Sequence, residues 1–202
     1  MNSALLEFRK IADEIFKEAC QFLNLVSNSD SQQNSIEKLE LLKIDASQKK
    51  REAIIKKDND LSNGFASFEF VIDSTIFEYK MWLALKEQKY DEAWDFLVDA
   101  QDSSTTSMQA HIVNGHLEKY LNRLLLIEKL IFPPQLFFSD RMIISKSSCT
   151  ICNQDMNDCE HIKGKFYMGE QCCERVEKIE SLDGIDIVKD PANKKCRMTF
   201  KQ

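Results

Sequence analysis

Three cysteines and one histidine fall within thirteen residues near the C-terminal end of this 202-residue chain. Cys149 and Cys152 form a Cys-x2-Cys pair, and Cys159 and His161 follow as Cys-x-His. Two residues between the first pair let both sulfurs turn to the same side. Three thiolates and one imidazole then complete a tetrahedral set that is suited to zinc. We therefore predict a metal site built from these four side chains and expect the metal to be Zn²⁺.

Four protein ligands would leave no open coordination position for water or substrate, so the predicted role of the metal is structural. The identity of the fourth ligand stays open at this point. Cys172 or Cys173 lies at the start of a helix predicted over 170–179 and could replace His161, because some zinc modules draw ligands from such a helix. The local set that contains His161 is preferred because its members are already close along the chain.

Cysteine usage indicates a reducing compartment, and hydropathy argues against a signal peptide or a membrane span. The chain has seven cysteines, an odd number, and the adjacent Cys172 and Cys173 cannot readily pair with each other. Residues 1–10 are amphipathic and include Glu7, so they lack the apolar core of a signal peptide. No apolar run reaches the roughly 18 residues of a membrane span. We expect a cytoplasmic protein without membrane contact, whose thiols are free or metal-bound.

The part of the chain before the motif has the periodicity of helices. Glycine (five) and proline (three) are scarce, which disfavours a turn-rich β architecture. From residue 3 to residue 131 apolar side chains recur every three or four positions, the spacing of one helix face. Capping boxes predict helix starts at 34–37 and 106–109, and Pro133-Pro134 predicts a helix end. The helix after residue 109 is the most apolar and is expected at the centre of the bundle.

These patterns predict a mainly α protein, an antiparallel helical bundle of about five helices with a small C-terminal zinc-binding α+β module. The predicted domains are a helical bundle over 1–132, an apolar connector over 133–148 and the zinc-binding module over 149–202. The module is expected to hold the short helix over 170–179 and a β-hairpin. The hairpin strands would run through Ile185–Val188 and Cys196–Phe200, around the turn Pro191-Ala192-Asn193.

Three segments outside the motif are candidates for contacts with a partner. The apolar connector over 133–148 either packs at the junction of the helical and metal-binding parts, which is the favoured interpretation, or forms an exposed partner-binding patch. Basic residues crowd 49–57, where a phosphate-contacting face is the alternative to a solvated or ion-paired helix face. Acidic residues crowd the predicted helix pair at 87–102, which we interpret as a solvated face.

Two stretches resemble known families. Residues 82–100 resemble the turn and second helix of a tetratricopeptide repeat, which implies a tight antiparallel helix pair; no second copy follows, so no repeat array is implied. The segment from Cys149 resembles short zinc modules of bacterial and phage-associated proteins of poorly defined function, and this implies the same ligands and a bacterial or phage-related host. The matching residues are Tyr90, Ala93, Leu97 and Ala100 for the repeat, and Cys149, Cys152, Cys159, His161, Gly164, Tyr167, Gly169, Val188, Pro191, Ala192 and Asn193 for the zinc module.

The sequence predicts a protein that binds other proteins and is not an enzyme. It has no Arg-x4–6-His pair, no glycine-rich phosphate loop and no Ser/His/Asp set. We expect a non-catalytic, zinc-stabilised helical interaction or adaptor protein, a subunit of a larger bacterial complex for which phage defence is one context. The alternative is a nucleic-acid-binding zinc protein, although a net charge of −6 weighs against phosphate binding. That alternative uses the basic side chains of the module, Lys163, Lys165, Lys194, Lys195, Arg197 and Lys201.

Overall fold

The structure, a computed structural model, describes residues 2–198, and helices dominate this part of the chain. The chain divides into two compact units, Met1–Ile127 with Phe166–Glu170, and Glu128–Lys165 with Gln171–Gln202. The predicted mainly α class is confirmed, with five α-helices and a small C-terminal part that holds the Cys/His cluster. The helices are α1 (Ser3–Ala19), α2 (Ser29–Ile55), α3 (Asn59–Lys86), α4 (Tyr90–Ala110) and α5 (Glu118–Ile131), and the strands are β1 (Phe137–Cys149), β2 (Phe166–Tyr167), β3 (Glu170–Gln171) and β4 (Glu174–Val188).

An asparagine cap fixes the start of α2 and corrects a predicted boundary. The side-chain oxygen of Asn28 accepts hydrogen bonds from the backbone N–H groups of Asp30 and Ser31, at 2.7 and 3.2 Å. Such a bond satisfies N–H groups that have no partner inside the helix, so the helix begins here. The start predicted at 34–37 is therefore wrong, and those residues lie inside α2.

Small side chains make α3 the central helix of the first unit. The hydroxyls of Ser67 and Ser107 each donate to the backbone carbonyl of the other residue at 2.7 Å, which joins α3 to the last turn of α4. A Cβ added at Gly64 would lie 2.6 Å from the Leu5 side chain, so α1 also approaches α3 closely. The helix start predicted at 106–109 is wrong because these residues close α4.

The prediction that the helix after residue 109 is central is wrong as well. The chain first makes a short 3₁₀ segment at Ile112–Leu117, and α5 then buries only Leu124 completely. In contrast, α3 buries side chains on most of its surface. Along its whole length α3 is also more hydrophobic on average than α5, whose apolar residues follow one face among many charged ones. The small residues of α3, serine, glycine and alanine, let neighbouring helices approach it closely. The apolar stripe of one face is therefore a poor guide to which helix is central.

The predicted helix pair around residues 82–100 is present. Gln88 takes a left-handed conformation (φ 59°) in the short turn that ends α3, and α4 starts at Tyr90. Ala93, Leu97 and Ala100 are all buried, and the Ala100 carbonyl accepts a 2.6 Å hydrogen bond from the Ser74 hydroxyl of α3. Small residues at this contact let the two helices lie close together, as the sequence pattern implies.

One carboxylate is buried completely inside the first unit. Glu78 of α3 is 0% exposed and accepts two hydrogen bonds from the Arg123 guanidinium of α5, one of them at 2.7 Å. The indole N–H of Trp82 donates a further bond to the same carboxylate at 3.2 Å. Paired donors of this kind compensate the loss of water around a buried charge.

Residues 166–170 come late in the sequence but belong to the helical unit. Phe166 packs with Ala66 and Ala110, and its ring meets the ring of Phe70 edge-on at 5.9 Å. The Asn63 amide donates to the Phe166 carbonyl at 3.2 Å, and its oxygen accepts from the Gly169 N–H at 2.8 Å. The short β2–β3 pair thus completes the core of the first unit.

The second unit is built on a long antiparallel ribbon of β1 and β4. The segment 133–148, predicted as an apolar connector without secondary structure of its own, instead contains β1, Phe137–Cys149. The short helix predicted over 170–179 is also wrong, because these residues belong mostly to β3 and β4. Hydrogen bonds between residues that lie 25 to 51 positions apart in the chain decide the conformation of both strands. Sequence spacing within either strand does not report such pairing.

The predicted β-hairpin around Pro191 is wrong too. Ile185–Val188 is the end of β4 and pairs with the start of β1 rather than with the C-terminal segment. That segment instead runs beside the start of β1, where the N–H of Phe138 donates to the Cys196 carbonyl at 2.7 Å. Phe200, placed in the second predicted strand, lies outside the described residues.

Candidate metal centre

The first ligand pair sits on the turn that ends β1. Cys149 is the last residue of the strand and is fully buried. The backbone N–H of Ile151 donates to the Cys149 sulfur at 3.3 Å, and Asn153, with φ 60°, turns the chain back. The N–H of Cys149 then bonds to the Gln154 carbonyl at 2.9 Å. N–H groups directed at sulfur stabilise the thiolate form that a metal requires.

The second ligand pair sits on the loop that follows. The Asp155 side chain accepts a hydrogen bond from the backbone N–H of Asn157 at 2.9 Å, which folds this polar segment into a tight turn. The backbone N–H of His161 donates to the Cys159 sulfur at 3.2 Å. The two turns therefore use the same device, an N–H donor two residues after the cysteine.

Together the two turns bring the four predicted ligands to one point. The ligand atoms of Cys149, Cys152, Cys159 and His161 all lie within 4.8 Å of one another. The sulfurs of Cys152 and Cys159 are 3.5 Å apart, and His161 Nδ1 is 3.2 Å from the Cys159 sulfur. Two sulfurs on one tetrahedral zinc ion would be about 3.8 Å apart, given Zn–S bonds of about 2.3 Å. The donor set and its spacing thus fit a metal ion.

A fifth donor lies beside this cluster. Cys172 is fully buried, and its sulfur is 3.6 Å from that of Cys149. Two backbone bonds of 2.8 Å hold it in place, from the Cys172 N–H to the Lys165 carbonyl and from the Gly164 N–H to the Cys172 carbonyl. Cys172 lies between β3 and β4 and not on a helix, so the structural basis first suggested for its role is wrong. Its position still makes it an alternative to His161.

Thr150 was not singled out in the sequence, yet it joins the first ligand turn to the residues on either side of Cys172. Its hydroxyl donates to the Gln171 carbonyl at 3.1 Å and accepts from the Cys173 N–H at 2.8 Å. The Thr150 N–H also donates to the Cys173 carbonyl at 3.0 Å. This threonine therefore positions the ligands without being one. A threonine within Cys-x2-Cys gives no sequence signal for such a role.

The thiols of the cluster differ in acidity. Burial raises the pKa of Cys149, but hydrogen bonds from the backbone of Cys152 and Ile151 and from neighbouring thiols outweigh it and lower the pKa to about 6. Burial, together with the thiolate of Cys149 nearby, raises the pKa of Cys159 and of Cys172 to about 11. A metal ion that binds here must therefore displace protons from thiols at neutral pH.

The remaining cysteines and histidines lie apart from the cluster. Cys20, Cys173 and Cys196 are exposed. His111 is 3.0 Å from an oxygen of Asp60, and its other ring nitrogen accepts the Val113 N–H at 3.0 Å. The histidine in the cluster is therefore His161, the one that the Cys-x-His spacing predicted.

The charged segments are partly neutralised. In the 49–57 stretch, Lys50 pairs with Glu69 of α3, and Lys49 lies 3.7 Å from Asp45. In the second unit, Lys163 pairs with Glu174 at 2.9 Å and Lys194 with Glu128 at 2.7 Å. Pairing of this kind lowers the positive potential that phosphate binding would need.

The described part of the chain has no membrane-spanning helix, and the chain has no match among known proteins. Across residues 2–198, none of the helices combines the length and the apolar character that crossing a bilayer requires. Comparisons of the chain with protein-family models, with curated proteins and with solved structures find no match.

Proposed function

We propose that this chain is a non-catalytic interaction protein whose second unit is held together by a structural Zn²⁺ ion. One observation carries the proposal: four donor atoms, three sulfurs and one nitrogen, lie within 4.8 Å of one another. Structural zinc sites have four protein ligands, whereas catalytic ones keep a position for water. With Cys172 beside the cluster, the chain offers more donors than a tetrahedral ion can accept, which leaves no place for a substrate.

Zinc suits the donor set better than other common metals. Calcium and magnesium prefer oxygen ligands, which the cluster does not supply. Thiolates together with one imidazole in a tetrahedral arrangement are typical of structural Zn²⁺. When bound, the ion supplies cross-links between the two turns and no reaction chemistry. The chain's own contribution is to hold the thiolates with backbone N–H groups and to fix the turns through Thr150.

The second unit has little else to hold it together. Among its described residues only four apolar side chains are buried, Phe132, Phe137, Cys149 and Cys172. Two of these four, Cys149 and Cys172, lie at the metal centre, so the metal site supplies half of the buried apolar residues of the unit. Metal binding therefore takes the part that a hydrophobic core has in larger domains.

The interaction role follows from what such a unit presents to its surroundings. A closed metal site stabilises surfaces rather than transforming a substrate, and the ribbon of the second unit carries exposed apolar residues. The resemblance of the segment from Cys149 to bacterial and phage-associated zinc modules supports a bacterial host, and we propose a place in a protein complex there. The thiols favour a reducing compartment such as the cytoplasm.

Metal analysis of the full chain tests the structural site. We expect one Zn²⁺ per chain after purification without added metal. Cys149→Ser should lose the metal, whereas Cys173→Ser, which changes an exposed cysteine outside the four-residue cluster, should retain it. Equal metal content in both variants would contradict the assignment.

Cobalt substitution separates a structural from a catalytic site. Tetrahedral Co²⁺ with thiolate ligands has intense visible bands that change when an added anion becomes a ligand. A closed site should give the same spectrum with and without thiocyanate. A spectrum that shifts with thiocyanate would show an open position and would overturn the non-catalytic proposal.

A further inference from the structure

The two faces of the β1–β4 ribbon differ sharply in composition. Directly opposed residues of an antiparallel pair point to the same side of a sheet, so the register assigns each side chain to a face. One face carries Phe138 opposite Ile187, Asp140 opposite Ile185, Met142 opposite Leu182 and Ile144 opposite Ile179. We call these eight residues the apolar face; seven of them are apolar.

The opposite face is mostly polar beyond its first pair, Phe137 and Val188. There Ser139 lies opposite Asp186, Arg141 opposite Gly184 and Ile143 opposite Ser181. The Arg141 guanidinium also pairs with Asp186 at 2.9 Å, within this face. Between residues 138 and 144 of β1, one face of the ribbon is therefore mostly apolar and the other mostly polar.

The apolar face lies open over its whole length. Its seven apolar side chains are each between 39% and 61% exposed. A two-stranded ribbon has no second layer of its own, and such ribbons are marginally stable in water unless something packs against a hydrophobic face. An exposed apolar patch of this size marks an interaction surface.

The edges of the ribbon are less suited to association than its face. Asp183 and Glu180 are extra residues of β4 at two breaks in the register, so that strand is bulged and charged along its free edge. The start of β1 is already paired, through Phe138, with the segment at Cys196. Bulges and charges on edge strands prevent strand addition. Association through the apolar face is therefore favoured over association through the edges.

We propose that a second copy of this chain covers the apolar face, so that two ribbons pack face to face about a two-fold axis. The exposed fractions of these seven residues correspond to on the order of 700 Å² of accessible surface per copy, close to the roughly 800 Å² that each partner contributes to a standard interface. An isologous contact needs the same strip on both partners, and this strip is uncharged except at Asp140. Asp140 belongs to an edge strand, where its carboxylate can reach solvent at the margin of the contact.

The dimer proposal rests on the proposed function, in which the second unit is folded around its metal. It names a second copy of the chain as the partner of this interaction protein. The full metal-loaded chain is the material for the test, and its mass in solution is measured by sedimentation velocity from 1 to 100 µM. We expect a dimer. Leu182→Glu places a charge in the middle of the apolar face and should give a monomer. Ser181→Glu adds the same charge one residue away on the polar face and should leave the dimer unchanged.

A milder change guards against misfolding. Leu182→Thr combined with Ile185→Thr keeps two residues that favour strands but removes most of their apolar surface, and it should weaken the dimer at least 100-fold. Metal content and the helical circular dichroism signal of every variant establish that it is folded. A monomeric wild-type chain at 100 µM that still holds one metal would overturn the dimer and leave the structural site standing. A dimer that neither the Leu182→Glu nor the threonine variant weakens would also overturn it.

Discussion

The ion pair buried in the first unit allows a sharp test of how the helices are held together. Arg123→Met removes the guanidinium that donates two hydrogen bonds to Glu78, while it keeps most of the volume of the side chain. Glu78 itself is fully buried and cannot replace these bonds with bulk water unless the helices move apart. The expected result is a destabilised but correctly folded helical unit.

The size of the effect follows from the surroundings of the pair. Removing one partner of a buried ion pair costs about 3–5 kcal/mol, because the other charge stays buried and unpaired. Here Trp82 still donates to Glu78 at 3.2 Å, and the Arg123 side chain is 40% exposed, so that water can enter the space it leaves. Both features favour the lower end, about 3 kcal/mol. For a unit of about 130 residues this corresponds to a fall in Tm of about 11 °C.

Circular dichroism at 222 nm measures this change, since the signal comes mainly from the helices of the first unit. Arg9→Met is the matched control, because Arg9 lies 3.6 Å from Asp13 in a pair that is open to solvent. Its loss should change the stability by less than about 0.5 kcal/mol. Thermal and urea unfolding should rank the two variants in the same order.

A double variant tests the cause. Glu78→Leu together with Arg123→Met removes both charges, so no unpaired group is left, and stability should return to within about 1 kcal/mol of the wild type. If Arg123→Met alone costs less than about 1 kcal/mol, the pair does not behave as a buried one. If the double variant is as unstable as the single one, lost packing and not the unpaired carboxylate explains the effect.

Three further predictions concern the metal centre. Competition with a chelator should identify the fourth ligand when it is applied to Cys172→Ser, His161→Ala and the control Cys173→Ser. Only the loss of a true ligand will weaken metal binding by orders of magnitude. Equal metal affinities in all three variants would refute both assignments. Metal affinity should rise at least tenfold per pH unit between pH 7 and 9, because the pKa of Cys159, raised to about 11, keeps a proton on that thiol until the metal displaces it. The metal should be released below pH 6, where Cys149 is protonated as well. An affinity independent of pH would contradict this. Chelation of the metal should unfold the second unit and leave the helical signal at 222 nm nearly unchanged. Free metal at 1,000 times its Kd should restore about 4 kcal/mol of stability to that unit. Limited proteolysis of the chelated protein should cut within residues 137–188.

The helices and the Cys/His cluster could be predicted because their signals are local. A three-to-four spacing reports one helix face within a few turns, and the four ligands lie within thirteen residues of the chain. The helix boundaries were less accessible. Asn28 caps α2 although the sequence between it and residue 34 is as polar as a loop, and Ser107 is buried against Ser67 of another helix. Each of these residues has a role that depends on a partner.

The strands were missed for the opposite reason. β1 and β4 are conformations that each segment takes because the other is present, and about 25 residues separate them. The alternation of Phe138, Met142 and Ile144 on one face was visible in the sequence, but the apolar run around it also suits a packed connector. Cys172 was expected at the start of a helix over 170–179, but it lies between β3 and β4. Its proximity to Cys149 depends on the turn at Gly164 and Lys165, which nothing in the ligand motif specifies.

The placement of residues 166–170 has a consequence for biosynthesis. The helices of the first unit end with α5, yet part of their core, the ring of Phe166 against Phe70, is translated later. At about 5–20 residues per second, the ribosome takes roughly 2–8 s to reach this segment after completing α5. By then Cys149, Cys152, Cys159 and His161 have already been made. A nascent helical unit therefore waits, with Asn63 unpaired, until the metal-ligand region has been synthesised, and a fragment that stops after α5 would lack a piece of its own interior.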